Sequence, residues 1–143
     1  MQTFLPYEDF NQIAQVLDMK RLGKQRVECL QILNTLHNGS RWQNHPAVLM
    51  WQGHALYLQK YSIAICERWI SLGYEDTCLD RSEQIDVQQF INETFMPPHW
   101  LGDDKFHSSH RAALLFKKFE HYSQFGWTEE PMMKYYWPVS REG

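Results

Sequence analysis

The chain has 143 residues, a length that fits one domain over residues 1–143 and leaves little room for a second. Hydrophobic residues make up 43% and charged residues 22%, a balance that excludes bulk disorder. No apolar run approaches the about 20 residues that a membrane helix needs, so a membrane protein is not expected.

The charge of the chain is uneven along its length. The formal net charge is −3, yet residues 75–104 carry −7 and the rest of the chain carries +4. Four cations fall within seven residues, at Lys20, Arg21, Lys24 and Arg26. An acidic region and a basic helix on one small domain would create a field that could steer a phosphate backbone.

The cysteines and the N-terminus indicate a soluble, cytoplasmic protein. Cys29, Cys66 and Cys78 are odd in number and form no C-x-x-C pair, which is typical of reduced thiols. The first ten residues contain acids and no basic segment, so a signal peptide is not predicted. We expect a cytoplasmic monomer.

The first elements are predicted from turn and capping signals. Residues 1–8 should be extended, because Pro6 disfavours helix at the residue before it. Asp9 could N-cap a short helix that runs through Leu17.

Residues 18–37 carry the strongest helical pattern of the chain. Apolar residues recur at helical spacing, at Val27, Leu30, Leu33 and Leu36, with Cys29 and Ile32 widening the stripe. Asn38-Gly39 is a stop signal. Gly23 indicates either a close approach by another helix or a ligand, or a break between two helices.

After residue 39 the sequence shows weaker and more interrupted helical patterns. Pro46 suits the first turn of a helix, and residues 47–72 have a long helical pattern that Gly53 interrupts. Further helices are expected over 82–95 and from Ser108 or Ser109 to about Tyr122. The fold class predicted is mostly α: a compact single-domain bundle of three to five helices with long loops and an aromatic C-terminal tail.

The aromatic tail has two interpretations. Tyr135, Tyr136 and Trp137 could stack on nucleic-acid bases, or they could form a hydrophobic clasp packed on the body of the domain. The sequence pattern does not separate the two.

One face of the helix over 18–37 carries polar residues that could perform chemistry. Arg21, Lys24, Gln25 and Glu28 share this face at i, i+3, i+4, i+7 spacing. It could be a solvated face with ion pairs. It could also bind phosphate and hold one carboxylate that stabilises a cationic intermediate or orients a water molecule.

The histidines favour anion contacts over metal binding. His107 and His110 have helical ligand spacing, but no H-E-x-x-H motif or Cys/His pairing accompanies them, so no metal site is predicted. Arg111 beside them favours an anion. His45 precedes a proline and could fix its loop or line a site.

Four segments of the chain occur in an order that is similar to a known family. They are residues 17–28, with L-D-x-K-x-L and a closing glutamate; Asn44-His45-Pro46; residues 47–74, with Gly53-His54; and residues 107–122, followed by Lys134-Tyr135-Tyr136. In this order they resemble the pyrimidine-dimer DNA glycosylase (phage endonuclease V-like) family, and together they span most of the chain.

This resemblance implies a single, mostly α-helical DNA repair enzyme with glycosylase and AP-lyase activity. A primary amine at the N-terminus would attack the sugar C1′ of a damaged or modified pyrimidine nucleotide, form an imine and nick the strand by β-elimination. By position the amine would belong to Met1 or Gln2, and Glu28 would assist. Lys20 or Lys24 would be alternative amines. No metal or other cofactor would be needed, because the imine is the electron sink.

The partner implied is damaged or modified duplex DNA. The residues expected to bind it are Lys20, Arg21, Lys24, Arg26, His45, His107, His110, Arg111, Lys134 and Tyr136. Aromatic side chains such as Trp42, Trp100 or Trp137 could take the place of a flipped base.

Two rival functions remain open at this point. The chain could be a catalytically inactive DNA- or nucleotide-binding module of the same fold. It could instead be a helical interaction protein whose Trp-rich surface binds another protein. A Glu28→Gln variant that binds without nicking would favour the enzyme over the module, and a steep salt dependence would favour DNA over a protein partner.

Overall fold

A computed structural model gives the structure of the protein and describes residues 1–85, Phe90, Glu93 and residues 96–139. Within them the chain forms seven α-helices: α1 Phe10–Val16, α2 Met19–Asn38, α3 Pro46–Leu49, α4 Ala55–Ser71, α5 Cys78–Glu83, α6 Asp104–Lys117 and α7 Phe119–Tyr122. A 3-10 turn at Ser123–Phe125 follows. No strand occurs among these residues, so the mostly α fold is confirmed. None of their helices has the length and apolar character of a membrane-spanning segment.

Helix α1 begins and helix α2 ends where the capping signals predict. Asp9 caps α1, its carboxylate accepting from the backbone N–H of Asn11 at 2.8 Å and of Gln12 at 3.1 Å. Asp18 caps α2 by accepting from the backbone N–H of Arg21. Gly39 ends α2 with a φ of +76°, a conformation that favours glycine.

One continuous helix over residues 47–72 is wrong, whereas the interruption predicted at Gly53 is confirmed. Pro46 does open a helix, as expected, but α3 ends at Leu49 and α4 begins only at Ala55. Between them Gly53 adopts a φ of +81°, which interrupts the right-handed helical backbone. The apolar periodicity continues across this turn because both helices face the same core.

The bounds of the last predicted helix are also wrong. Asp103 rather than a serine caps α6, with its carboxylate accepting from the Lys105 backbone N–H at 3.0 Å. Lys118, with φ −152° and ψ 73°, then separates α6 from α7. These two splits raise the described helices above the three to five predicted. The helix predicted over 82–95 falls largely outside the described residues, and α5 ends at Glu83.

The core forms where α2 and α4 pack against each other and α1 packs on α4. Fully buried aromatic rings fill it, among them Trp51, Tyr61 and Trp100. The extended N-terminal segment enters this core, and Leu5 has no exposed surface. The first residues of the chain are therefore part of the packed domain.

Gly23 allows α2 and α4 to approach closely, as one of its predicted explanations requires. A Cβ atom at this position would lie 3.0 Å from the Trp69 ring. The break between two helices, the other explanation, does not occur, since α2 is continuous. The Arg26 guanidinium lies 4.4 Å from the centre of the Trp69 ring and forms an ion pair with Asp76.

The three cysteines are free and buried, which confirms the reduced-thiol prediction. Burial raises the pKa of Cys66 to about 12, so its thiol stays protonated at neutral pH.

Candidate active site

Side chains of α2 and α4 hold the backbone of the N-terminal segment. Gln25 donates from Nε2 to the carbonyl of Gln2 at 2.9 Å. Its Oε1 accepts from the Phe4 backbone N–H at 2.7 Å and from the Tyr61 hydroxyl at 3.1 Å. Because Gln25 is 1% exposed, these bonds lie away from water and fix the path of residues 2–4.

Two histidines of α6 hold the same segment from the other side. His110 Nδ1 accepts from the Leu5 backbone N–H at 3.0 Å, so this nitrogen carries no proton. His107 Nε2 accepts from the Gly102 backbone N–H at 2.8 Å, which places its proton on Nδ1, 2.7 Å from the Leu5 carbonyl. Both rings are therefore neutral in the folded protein.

Arg111 fixes the next residue of the segment. Its Nη1 donates to the carbonyl of Pro6 at 2.8 Å, while its Nε donates to the Glu129 carboxylate at 2.7 Å. One guanidinium thus ties the N-terminal segment to the C-terminal tail.

Lowering the pH is expected to destabilise the protein because these histidines must stay neutral. Burial lowers the pKa of His110 to about 3 and also lowers the pKa of His107. Such groups stabilise the fold fully above their unfolded pKa of about 6.5, and this stability is lost as the pH falls below it. We expect His110 alone to cost about 1.4 kcal/mol per pH unit between about pH 6 and about pH 3.

Urea unfolding at about pH 7.5 and about pH 5 measures this effect before most carboxylates titrate. The control is His110→Gln, which should be less stable at neutral pH and should show a smaller decline toward acid. An unfolding free energy of the parent protein that does not fall over this window would contradict the prediction.

Glu28 places a carboxylate beside the first peptide bond of the chain. Its Oε2 accepts from the backbone N–H of Gln2 at 3.1 Å, and its Oε1 lies 3.7 Å from Lys24 Nζ. The residue is 9% exposed, which limits the competition from water. The helical face predicted to carry chemistry therefore meets the N-terminus.

A cleft of about 360 Å³ opens at this meeting point. Its lining residues are Met1, Gln2, Phe4, Lys20, Arg21, Lys24, Glu28, His45, Lys117, Met133, Tyr135 and Trp137. The three predicted catalytic residues and four of the predicted DNA-binding residues are among them. Cations outnumber the single carboxylate, so the cleft suits an anionic ligand.

Lys117, which is not among the residues predicted from the sequence, reaches this cleft from the last turn of α6. Burial and the charges of Arg21 and Lys24 lower its pKa, with the Glu28 charge opposing them. Arg21 and Lys24 from α2 and Lys117 from α6 thus line the same cleft. The signal available in the sequence was the pair Lys117-Lys118 in the polar turn that ends α6.

Aromatic rings line one side of the cleft. The ring of His45 lies 6.1 Å from both Trp42 and Trp137, and Tyr135 lies 5.8 Å from Trp137. His45 also fixes its loop, as one reading predicted, since its Nδ1 accepts from the Ala47 backbone N–H at 3.0 Å. Trp100 lies elsewhere, in the core, where its indole N–H donates to the Met50 carbonyl.

Other residues predicted to bind DNA lie outside this cleft. Arg26 lies on the other side of α2, where its guanidinium packs on the Trp69 ring and forms an ion pair with Asp76. His107, His110 and Arg111 hold the N-terminal segment from within α6, as described above.

The remaining two predicted residues lie in a second, larger groove. Lys134 and Tyr136 line this groove of about 780 Å³ between α6 and the C-terminal tail. The tail docks along α6, with the Met132 N–H donating to the Ala112 carbonyl at 3.1 Å and the Tyr136 N–H donating to Ser109 Oγ at 3.0 Å. The tail therefore packs on the body of the domain, as in the predicted hydrophobic clasp.

The part of the chain that the structure describes contains no candidate metal site. Within it, no group of three or more histidine, cysteine, aspartate or glutamate side chains is placed to hold a metal ion.

Comparison with known proteins identifies the family. No curated protein and no solved structure matches the chain. The family model described as pyrimidine dimer DNA glycosylase matches residues 1–82, more than half of the chain. This match includes the N-terminal segment, all of α2 with Glu28, and the His45 loop. The chain therefore belongs to the pyrimidine dimer DNA glycosylase family of DNA repair enzymes.

Proposed function

We propose that the protein is a metal-independent DNA glycosylase with AP-lyase activity that acts through an imine at the sugar C1′. One observation carries this proposal: the N-terminal residues and Glu28 share one cationic cleft, with the Gln2 backbone nitrogen 3.1 Å from the Glu28 carboxylate. A nitrogen nucleophile and an acid–base group need this proximity.

The reaction would proceed in two stages. The amine attacks C1′, the glycosidic C–N bond breaks, and the base leaves with its electron pair and a proton. The C1′–O4′ bond then opens as O4′ takes a proton, which gives the iminium. The iminium withdraws electrons, so a proton is lost from C2′ and the C3′–O bond breaks, and the downstream strand leaves with the phosphate. Water then hydrolyses the imine and frees the amine. Glu28 would stabilise the cationic iminium and relay protons. No metal is required, because the iminium itself accepts the electrons.

Two atoms compete for the role of nucleophile. With Met1 in place, the amine belongs to Met1, which is half-buried and lines the cleft. If Met1 is removed, the Gln2 nitrogen becomes the amine. That nitrogen already occupies the position beside Glu28, which supports Gln2 as the nucleophile of the processed chain.

The cations of the cleft would bind DNA phosphates around the reacting sugar. Lys20, Arg21 and Lys24 approach from α2, and Lys117 approaches from α6. Trp137 and the exposed Trp42 would cover the space that a flipped base leaves. His107, His110 and Arg111 would act through the segment that they hold.

Borohydride trapping on DNA that contains an abasic site tests the proposal. We expect a covalent adduct, detected by intact mass and mapped by peptide analysis to Met1 or Gln2. An adduct at Lys20, Lys24 or Lys117 would move the imine to a side chain and contradict the N-terminal assignment. The absence of any adduct would exclude amine-based lyase chemistry.

A DNA-binding module without catalysis is the second candidate, and one observation favours it. In the chain with Met1 retained, the Gln2 nitrogen is an amide nitrogen, and its N–H donates a hydrogen bond to Glu28 Oε2. The module would bind duplex DNA with a steep salt dependence and would form no adduct.

A further inference from the structure

The bend between α6 and α7 exposes two aromatic rings around two lysines. It comprises Phe116, Lys117, Lys118 and Phe119, and we refer to it as the Phe–Lys–Lys–Phe bend. Phe116 is 60% exposed and Phe119 is 58% exposed. Two large apolar side chains that are both exposed within four residues favour a binding role for this bend.

Residues on both sides of the bend anchor its backbone to the rest of the domain. On α6, Leu114 and Leu115 are buried in the core directly before it. On α7, Tyr122 is fully buried and its hydroxyl accepts from the backbone N–H of Asp18 at 3.1 Å. A ring nitrogen of His121 lies 2.7 Å from the Val16 carbonyl. The two phenylalanines therefore project from an anchored backbone.

The anchor also connects the bend to the cationic face of α2. Asp18, whose backbone N–H donates to the Tyr122 hydroxyl, is the N-cap of α2. Its carboxylate lies 3.2 Å from an Arg21 guanidinium nitrogen. From the bend itself, Lys117 extends into the cleft that holds Glu28. Through Lys117, the bend therefore adjoins the cationic surface at which we place the phosphates.

We infer that the Phe–Lys–Lys–Phe bend is a DNA-binding surface at which Phe116 and Phe119 stack against bases unstacked beside the lesion, while Lys117 and Lys118 bind the flanking phosphates. The inference rests on the proposed function only in taking DNA as the partner. It assigns a role to four residues that lie outside the 82 residues matched by the family model.

The chemistry of the bend selects this partner over others. Exposed aromatic rings interleaved with cations fit a ligand that offers both flat aromatic faces and regularly spaced negative charges. Intact duplex DNA offers the charges but keeps its base faces stacked, whereas a duplex opened at an abasic site offers both. The bend should therefore distinguish the opened duplex from the intact one.

The test compares the parent protein with the double variant Phe116→Ala, Phe119→Ala. Fluorescence anisotropy gives the dissociation constants for one intact duplex and for the same duplex with a single tetrahydrofuran abasic analogue, which cannot form the imine and is not cleaved. We expect the variant to bind the abasic duplex about tenfold or more weakly, with less than about threefold loss on the intact duplex. Phe119→Trp, which retains an aromatic face, should keep most of the preference.

A matched control is Ile70→Ala, since Ile70 is 45% exposed on α4 and does not line the cleft. It should leave both affinities unchanged. Thermal melting of every variant checks that the fold is retained, as expected for side chains that pack little.

The outcomes separate this inference from the proposed function. If the alanine variant keeps the preference for the abasic duplex, or loses equal affinity for both duplexes, the stacking role is overturned. The same holds if the parent protein shows no preference. If the preference depends on the phenylalanines but borohydride trapping gives no adduct, the bend remains a DNA-binding surface and the enzyme proposal fails.

Discussion

Replacing Glu28 with glutamine is expected to reduce base excision and strand nicking by about 10²- to 10⁴-fold, the range of a lost general acid–base group. The amide of a glutamine can still accept the hydrogen bond that the Gln2 N–H now donates to Glu28 Oε2, so the N-terminal segment should keep its place. What the variant loses is the charge beside the iminium and the capacity to move a proton. Single-turnover excision and nicking assays measure the loss.

DNA binding by the Glu28→Gln variant should be unchanged or slightly tighter. Among the described residues that line the cationic cleft, Glu28 carries the single carboxylate, so the substitution reduces repulsion of the phosphates. Glu67→Gln is a suitable control, because Glu67 is an exposed carboxylate on α4 outside this cleft. Full nicking by Glu28→Gln would remove Glu28 from the mechanism.

Replacing Gln25 with leucine is expected to lower both stability and activity. It leaves the Phe4 backbone N–H without its acceptor and the Gln2 carbonyl without its donor, both in a buried setting. Each such unsatisfied group costs about 1–3 kcal/mol, so we expect the free energy of unfolding to fall by about 2–5 kcal/mol. The loosened segment would no longer hold the terminal nitrogen at Glu28, and excision would decrease even at temperatures where the variant is folded.

Urea unfolding and excision assays on the same preparations test this prediction. Gln31→Leu provides the comparison, since Gln31 is exposed on the same helix and its replacement should change stability by less than about 0.5 kcal/mol. If Gln25→Leu matched Gln31→Leu in both measurements, the proposed anchoring of the N-terminal segment would be wrong.

Local signals predicted the first part of the fold and the interruption at Gly53, and they missed the break at Lys118. Asp9 and Gly39 act within one turn of their own helices, so their sequence positions sufficed to place the start of α1 and the end of α2. The apolar stripe of α2 was less well placed, because Val27 is 42% exposed. The break at Lys118 had no proline or glycine to announce it.

Some residues of the candidate site were likewise predictable from local spacing, and others were not. The spacing of Lys24, Gln25 and Glu28 on one helical turn follows from the period of an α-helix, and the structure keeps them on the face that meets the N-terminus. No local pattern could show that Lys117, about 90 residues further along the chain, completes the cationic side of the cleft. For His107 and His110 the sequence left open hydrogen bonds to neighbouring loops or contact with an anion and favoured the anion, whereas their rings bind the backbone of Leu5.

The sequence by itself determined the mostly helical class, the first two helices, the single carboxylate among the cations of α2 and the resemblance to the family. These follow from periodicity, capping and the order of short motifs, all of which are local properties of the chain. Only the tertiary structure decided that the N-terminus is buried against Glu28, that Arg26 faces Trp69 and that Lys117 enters the cleft. Those positions depend on which helical faces pack together, and that choice is made by the burial of apolar surface across the whole domain.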